Sequence, residues 1–470
     1  MTTAAPMLSF ARYERALRDR SALKFQGRVS QVIGLSIEVE GLRLAVGDVC
    51  TIMPGAAGSR SMYGADESAN NRRAGGISAE VVGFREGRLL VMPFSDTQGV
   101  RPGSAVFPRG RAFNVPVGPS LLGRVIDGLA QPIDGKGPLG AIERYPVTNQ
   151  PPDPLSRAPI RQTLSTGVRA IDAMLTCGKG QRVGIFAGSG VGKSTALGMM
   201  ARNAQTDVNV IALIGERGRE VQEFMERDLG PEGLARSVVV VATSDQPALQ
   251  RIKAAWVATA IAEYFREQGL DVTLMMDSVT RWAMAQREIG LTVGEPPVVK
   301  GYPPSVFALM PKLMEKAGTS NKGTITGFYT VLVDGDDVNE PIADTARGIL
   351  DGHIWLSRKM ANQNHYPAID VLGSLSRLMS TLATPEHQRA ASAVRDVLAT
   401  YRASEDLISI GAYQPGANPS LDRAVQLMPQ IKELLCQSSH EATSLNDAVQ
   451  GLNAIFGTYD HGTATAGAAA

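Results

Sequence analysis

Cysteine is scarce in this chain: Cys50, Cys177 and Cys436 are the only three among 470 residues. They are odd in number and far apart, which excludes a disulfide framework and reads as reduced, buried thiols. The five histidines are equally scattered and show no metal-ligand spacing with the cysteines, so metal chemistry held by the protein alone is not expected. A surplus of charge is lacking too. Lys plus Arg number 47 and Asp plus Glu 46, a formal net charge of +1, which argues against a general nucleic-acid binder, although a local basic patch would not show in the sum. No apolar run approaches the roughly 20 residues that span a bilayer. The N-terminus has no apolar signal core, so the expected location is the cytosol. No internal repeat is present.

What is there reads as a soluble globular protein, 44% hydrophobic and 20% charged, long enough for two or three domains. In residues 1–24, Phe10, Tyr13 and Leu17 share one face of a helix with Ala16 beside them. Arg12, Arg15, Arg18 and Arg20 outnumber Glu14 and Asp19 on the rest of it. Packing on its own protein, docking to a partner and lying on a membrane surface are all compatible with that pattern. From Gln26 the period becomes two. Leu35, Ile37 and Val39 alternate, the chain turns at Gly41, and Leu42, Leu44 and Val46 resume; "ISAEVVGFREGRLLVMPF" repeats the pattern. Short strands with tight turns predict a small barrel or sandwich over residues 25–95, with a polar surface loop from Pro54 to Gly76.

Residues 115–160 are rich in Gly and Pro and read as a wrapped connector. After them "RVGIFA", "VNVIALI", "SVVVVAT", "VTLMMD" and "TITGFYTVLV" alternate with helical stretches. Apolar strands separated by helices predict a parallel sheet covered on both faces. From about Ser380 helical patterns take over to residue 457, and residues 458–470 have nothing to bury and read as a disordered tail.

One stretch carries the chemistry. "FAGSGVGKSTALGMM" begins in an apolar strand and ends in a helix former, with a flexible turn and one lysine between. Ala187-x-x-x-x-Gly192-Lys193-Ser194 fits the phosphate-binding loop, with Ala at the first glycine. Gly188, Ser189, Gly190, Val191, Gly192, Lys193, Ser194 and Thr195 would line it. Backbone N–H groups there converge on an anion at a helix N-terminus. Lys193 would meet the β- and γ-phosphates of ATP, and the Ser194 hydroxyl would hold Mg²⁺. Asp277 ends "VTLMMD" at the carboxyl end of a strand, where ligands of such sheets gather, and suits a carboxylate ordering the Mg²⁺ shell. Glu216, in "GERGRE" after another strand, should emerge on the same edge as a general base for water. A surface charge paired with Arg217 or Arg219 is the plain alternative for Glu216.

These pieces resemble a known family. "GSGVGKST", "GERGREV", "MDSVTRWAMAQREI" and "GEPPVVKGYPPSVF", in this order, with "GRVIDGLAQPIDG" and "TGVRAIDAMLTCGKGQ" before them, look like the catalytic subunits of rotary-type ATPases, and most of all the flagellum-specific type III protein export ATPases. The resemblance covers roughly residues 25–457. It implies an α/β fold: a RecA-like P-loop core within residues 96–379, preceded by the N-terminal β-barrel and followed by a C-terminal helical domain over 380–457. It also implies roles. Glu216 would be the catalytic base with Arg217 and Glu220 supporting it, and Arg281 would lie near the phosphates. Tyr366 in "HYPAID" would stack on adenine, with Tyr413 flanking it, and Asp277 would reach Mg²⁺ through water. Arg377 in "LGSLSR" would be an arginine finger for a neighbouring subunit. A chain carrying both loop and finger completes every site by head-to-tail closure, and the family analogy says six copies.

The same resemblance implies a stator-like regulatory dimer at the N-terminal helix, a coiled-coil stalk in the ring pore, and an export gate with chaperone–substrate complexes at the inner membrane. Peripheral membrane association stays open. The injectisome secretion ATPase shares this site chemistry and is the second reading. An ATP synthase β-type subunit is disfavoured, since no strongly acidic run matches its lever motif. A hexameric RNA helicase is disfavoured because no aromatic-basic strand pattern accompanies the barrel.

Overall fold

The computed structural model describes residues 25–54, 76–140, 143–333, 337 and 340–463. The helix expected over residues 1–24 and most of the 54–76 loop lie outside the described residues. The described chain divides into two units, Met1–Phe113 and Asn114–Ala470. Among the described residues no helix is long and apolar enough to cross a membrane.

The first unit is a closed six-stranded barrel. Its strands are Gly27–Ile33, Ser36–Glu40, Asp48–Ile52, Ile77–Arg85, Arg88–Pro93 and Ala105–Ala112. Alternate residues such as Val29, Ile37, Val39, Val81 and Val91 point inward, because successive side chains of a strand face opposite sides. The barrel does not end near Phe94 as expected. Ala105–Ala112 pairs with both Asp48–Ile52 and Gly27–Ile33 and so closes it. Pro108 and Gly110 interrupt the apolar alternation there, which hides the strand from a pattern reading. Leu42, Leu44 and Val46 do not form a strand. Leu42 and Leu44 cover the barrel core from a loop, and Val46 is exposed.

In the second unit a mainly parallel sheet runs in the order Leu375–Ser376, Gly352–Leu356, Arg182–Ala187, Thr324–Leu332, Asp271–Asp277, Val208–Ile214, Ser237–Ala242 and Arg124–Asp127. All residues of Val208–Ile214 and of Ser237–Ala242 are buried, as an apolar strand covered on both faces requires. The sheet also recruits part of the expected connector: Arg124–Asp127 pairs in parallel with Ser237–Ala242. Arg124 holds Asp134 at 2.7 and 3.0 Å in a two-pronged pair that locks the turn behind that strand.

The C-terminal helices Pro385–Ala403, Pro419–Leu435 and Leu445–Thr463 add their apolar stripes to the core of this unit. Val394, Ile431 and Leu452 belong to the same buried cluster as Ile171, Met174 and Ile185. Arg395 donates to the carbonyls of Val371 (2.7 Å) and Met174 (2.9 Å), and His387 Nε2 lies 2.6 Å from that of Ala173. The last helix runs to Thr463, past the boundary at 457 expected from the sequence.

Candidate active site

Strand register brings the site together. Ala187 lies beside Leu332, Met276 beside Tyr329, and Leu213 beside Asp277, so four strands end on one edge. The glycine-rich turn leaves Ala187 on that edge and enters the helix Lys193–Asn203 through Gly192, whose φ of 90° is left-handed and favours glycine. The ladder continues past Ile214: Gly215 N donates to Ala242 O (2.7 Å) and Ser244 N to Glu216 O (3.0 Å). Glu216 is therefore set by backbone bonds on both sides.

Lys193 joins the two carboxylates the sequence singled out. Its Nζ lies 3.1 Å from Glu216 Oε1 and 2.5 Å from Asp277 Oδ1. Thr330, which the sequence reading missed, donates to Asp277 Oδ1 at 2.7 Å from the neighbouring strand. The strand Thr324–Leu332 also carries Thr324, Thr326 and Tyr329, so no sequence signal singled out Thr330. Burial pushes the Glu216 carboxyl up to about 7, with the Asp277 charge adding to it and Lys193 opposing. Glu220 hydrogen-bonds to Glu216 and is itself held below its usual range by that bond. Burial alone would pull Lys193 down, but Asp277 and Glu216 together raise it. The pocket thus holds a buried cation and a carboxyl poised near neutrality.

Arg281, in the first turn of the helix Val279–Val293, crosses over Gly215: a Cβ there would sit 2.7 Å from Arg281 Cβ. Its Nε is buried without a hydrogen-bond partner among the described residues. Arg217 reaches Glu216 only through Glu220. It is largely exposed and pairs with Glu220 at 3.3 Å. Ser194 and Thr195 fall in the first turn of the helix after the loop. Tyr366 stands over the loop, its ring 3.6 Å from where a Cβ on Gly192 would be. Gly188, Ser189, Gly190 and Val191 complete the turn, with Ser189 and Gly190 exposed and Gly188 and Val191 buried.

Two residues lie away from this edge. Arg377 follows the strand Leu375–Ser376, and its N–H donates to Asp351 O. Asp351 in turn accepts from Arg182 N, at the opposite end of the strand that leads to the loop. About 16 Å of strand, five residues at ~3.3 Å each, separates that level from Ala187. Arg377 is exposed and does not join the site of its own chain. Tyr413 corrects an expectation. Its hydroxyl donates to Asp422 (2.6 Å) at the start of the helix Pro419–Leu435, whereas Tyr366 O accepts from Gln437 N beyond its end. About 20 Å of helix at 1.5 Å per residue keeps the two tyrosines apart, so Tyr413 does not flank Tyr366.

Comparisons with known proteins agree along the chain. Residues 56–110 match the ATP synthase alpha/beta family beta-barrel domain, residues 167–376 that family's nucleotide-binding domain, and residues 383–454 the T3SS EscN ATPase C-terminal domain. A flagellum-specific ATP synthase of Bacillus subtilis (strain 168) is 53% identical over 92% of this chain and 96% of its own. A type 3 secretion system ATPase of Xanthomonas euvesicatoria is 47% identical over 94% and 96%. The assembled ATPase EscN in complex with its central stalk EscO, from the enteropathogenic E. coli type III secretion system, superposes with a TM-score of 0.81. That alignment has 43% identity and covers 91% of this chain and 99% of EscN.

Proposed function

This chain belongs to the family of flagellum-specific and type 3 secretion system ATPases, and from that premise we propose that it hydrolyses Mg-ATP to energise export of flagellar proteins through a type III export apparatus. It is a P-loop ATPase. The observation that carries the mechanism is Lys193 held between Glu216 and Asp277 on the carboxyl edge of the sheet. The residues suit Mg-ATP: a buried lysine, an orphaned buried Arg281 Nε and a left-handed glycine turn all favour an anion. Lys193 would turn from the carboxylates to the β- and γ-phosphates. Glu216, released, would accept the proton of the water that attacks the γ-phosphorus as ADP departs. Ser194, and Asp277 through water, would hold Mg²⁺, which when bound neutralises charge on the phosphoryl oxygens. Tyr366 would pack on the base. Arg377 would serve the site of the next copy, a reading supported by its position at the far end of the sheet.

Glu216→Gln tests this assignment. Shape and hydrogen bonding persist while proton acceptance is lost, so Mg-ATP should bind with little change and turnover fall by about 10²–10⁴. Equal losses of binding and turnover would remove Glu216 from the chemistry.

The proposed assembly is a ring of six copies around a stalk-like coiled coil, working in the cytoplasm at the inner-membrane export apparatus. A regulatory dimer would dock on residues 1–24, and the ring would serve an export gate and chaperone–substrate complexes. The assembled EscN with its stalk supports the ring and the stalk. Greater identity to the Bacillus flagellar relative favours the flagellar reading, and the Xanthomonas relative favours the injectisome as the second. A pull-down from the native cell discriminates: flagellar export components support the first, needle-complex components the second.

A further inference from the structure

A cavity of about 550 Å³ opens behind the segment that carries Tyr366, between residues 357–372 and the C-terminal helices. That size lies within the range of small-molecule sites, about 300–1,000 Å³. Its floor is apolar, made by Ile369, Val371, Leu398, Ile431 and Leu435. Charged side chains ring it: Lys359, Arg402 and Lys432 against Asp370 and Glu405, a surplus of one positive charge. Lys359 is bound to Glu405 at 2.5 Å and Arg402 to Asp370 at 2.8 Å. Lys432 is in no ion pair among the described residues, so the surplus sits on its side.

His365 also lines this cavity. It is 8% exposed, and Nε2 is buried with no hydrogen-bond partner among the described residues. A buried polar atom without a partner is uncommon and costly, and here the open space beside it offers room for one. Burial holds His365 below its usual range, with Lys432 adding to that, so the ring is neutral near pH 7. The neighbouring Tyr366 serves the other side, with its ring against the phosphate-loop glycine and no part in the cavity wall.

We propose that this cavity is a second ligand site, for a small amphipathic organic anion. An apolar body would lie on the Ile369–Leu435 floor, the anionic group would meet Lys432, and a polar atom would satisfy His365 Nε2. Occupancy is coupled to nucleotide binding, because the residues that flank the site, His365 and the end of the helix Pro419–Leu435, also hold Tyr366 through Gln437 N to Tyr366 O at 2.9 Å. This coupling rests on Tyr366 packing on the base; binding in the cavity does not.

The test uses the full chain and 8-anilinonaphthalene-1-sulfonate, an aromatic monoanion that fluoresces in apolar surroundings. One saturable site per chain is expected. Lys432→Glu, on the exposed rim, should weaken it about tenfold, and Met428→Trp, which pushes an indole from the wall into the cavity, should abolish it, both with unchanged melting temperature and Mg-ATP binding. A saturating probe should shift the Mg-ATP Kd about fivefold or more, and Mg-ATP should shift the probe's Kd by the same factor. Tyr366→Ala should erase that shift while the probe still binds. Unsaturable binding, or affinity indifferent to Lys432→Glu, would overturn the site even if Met428→Trp fails to fold. Displacement of the probe by Mg-ATP in the Met428→Trp protein would place it in the nucleotide pocket and overturn the site as well. An unchanged Mg-ATP Kd at saturation would overturn the coupling.

Discussion

A lysine paired with two carboxylates must give them up when it turns to bound phosphates. Lys193 contributes little to the apolar core, so Lys193→Ala should fold with a near-native melting temperature. It should bind Mg-ATP weakly and hydrolyse almost none, as phosphate release would show. Near-normal turnover would exclude the loop lysine from the mechanism. The poised state of Glu216 has a second consequence. A general base works only when ionised, and burial with the Asp277 charge raises this one to about 7. The kcat/KM for ATP should therefore fall as pH drops below about 7, since free enzyme with Glu216 protonated cannot accept the water's proton. A flat profile from pH 6 to 8 would sink that assignment.

Elements carry the next level of explanation. The short helix Arg169–Met174 is held by the C-terminal helices through side chains that reach its carbonyls. Arg395→Ala removes two charge-assisted bonds, a class whose net contribution is about 1.5–3 kcal/mol each. The melting temperature should drop by several degrees, with nucleotide affinity nearly kept; a shift under about one degree would mean these bonds add nothing. The sequence made the sheet legible because its strands are mostly apolar runs and its phosphate loop has a fixed spacing. Glu216 and Asp277 were legible for the same reason: each follows a recognisable strand, so the shared edge follows from parallel topology. The barrel's closing strand was not, since Pro108 and Gly110 break its alternation. Tyr413 was misjudged because adjacency across a helix depends on which end each residue meets. Thr330 escaped because its role arises only across two paired strands.

At the scale of the whole molecule, the loop lysine and the arginine proposed to serve a neighbouring copy lie at opposite ends of one sheet. Arg377→Ala should keep nucleotide binding and lose about 10³ or more in turnover. Mixing it with the Lys193→Ala protein under exchanging, ring-forming conditions should restore some activity, because some interfaces would pair an intact loop with an intact arginine. No rescue would mean Arg377 acts within its own chain.

If Arg377 serves the next copy, as proposed, its far-end position also changes how activity counts copies. In an open row of n chains only n − 1 interfaces exist, so one loop always lacks its arginine. The copy that closes the row completes two sites at once, whereas every earlier copy completes one. Turnover per chain should then climb more steeply than linearly with concentration and level off when rows become circles, and a copy lacking both groups should silence its neighbour's site as well as its own.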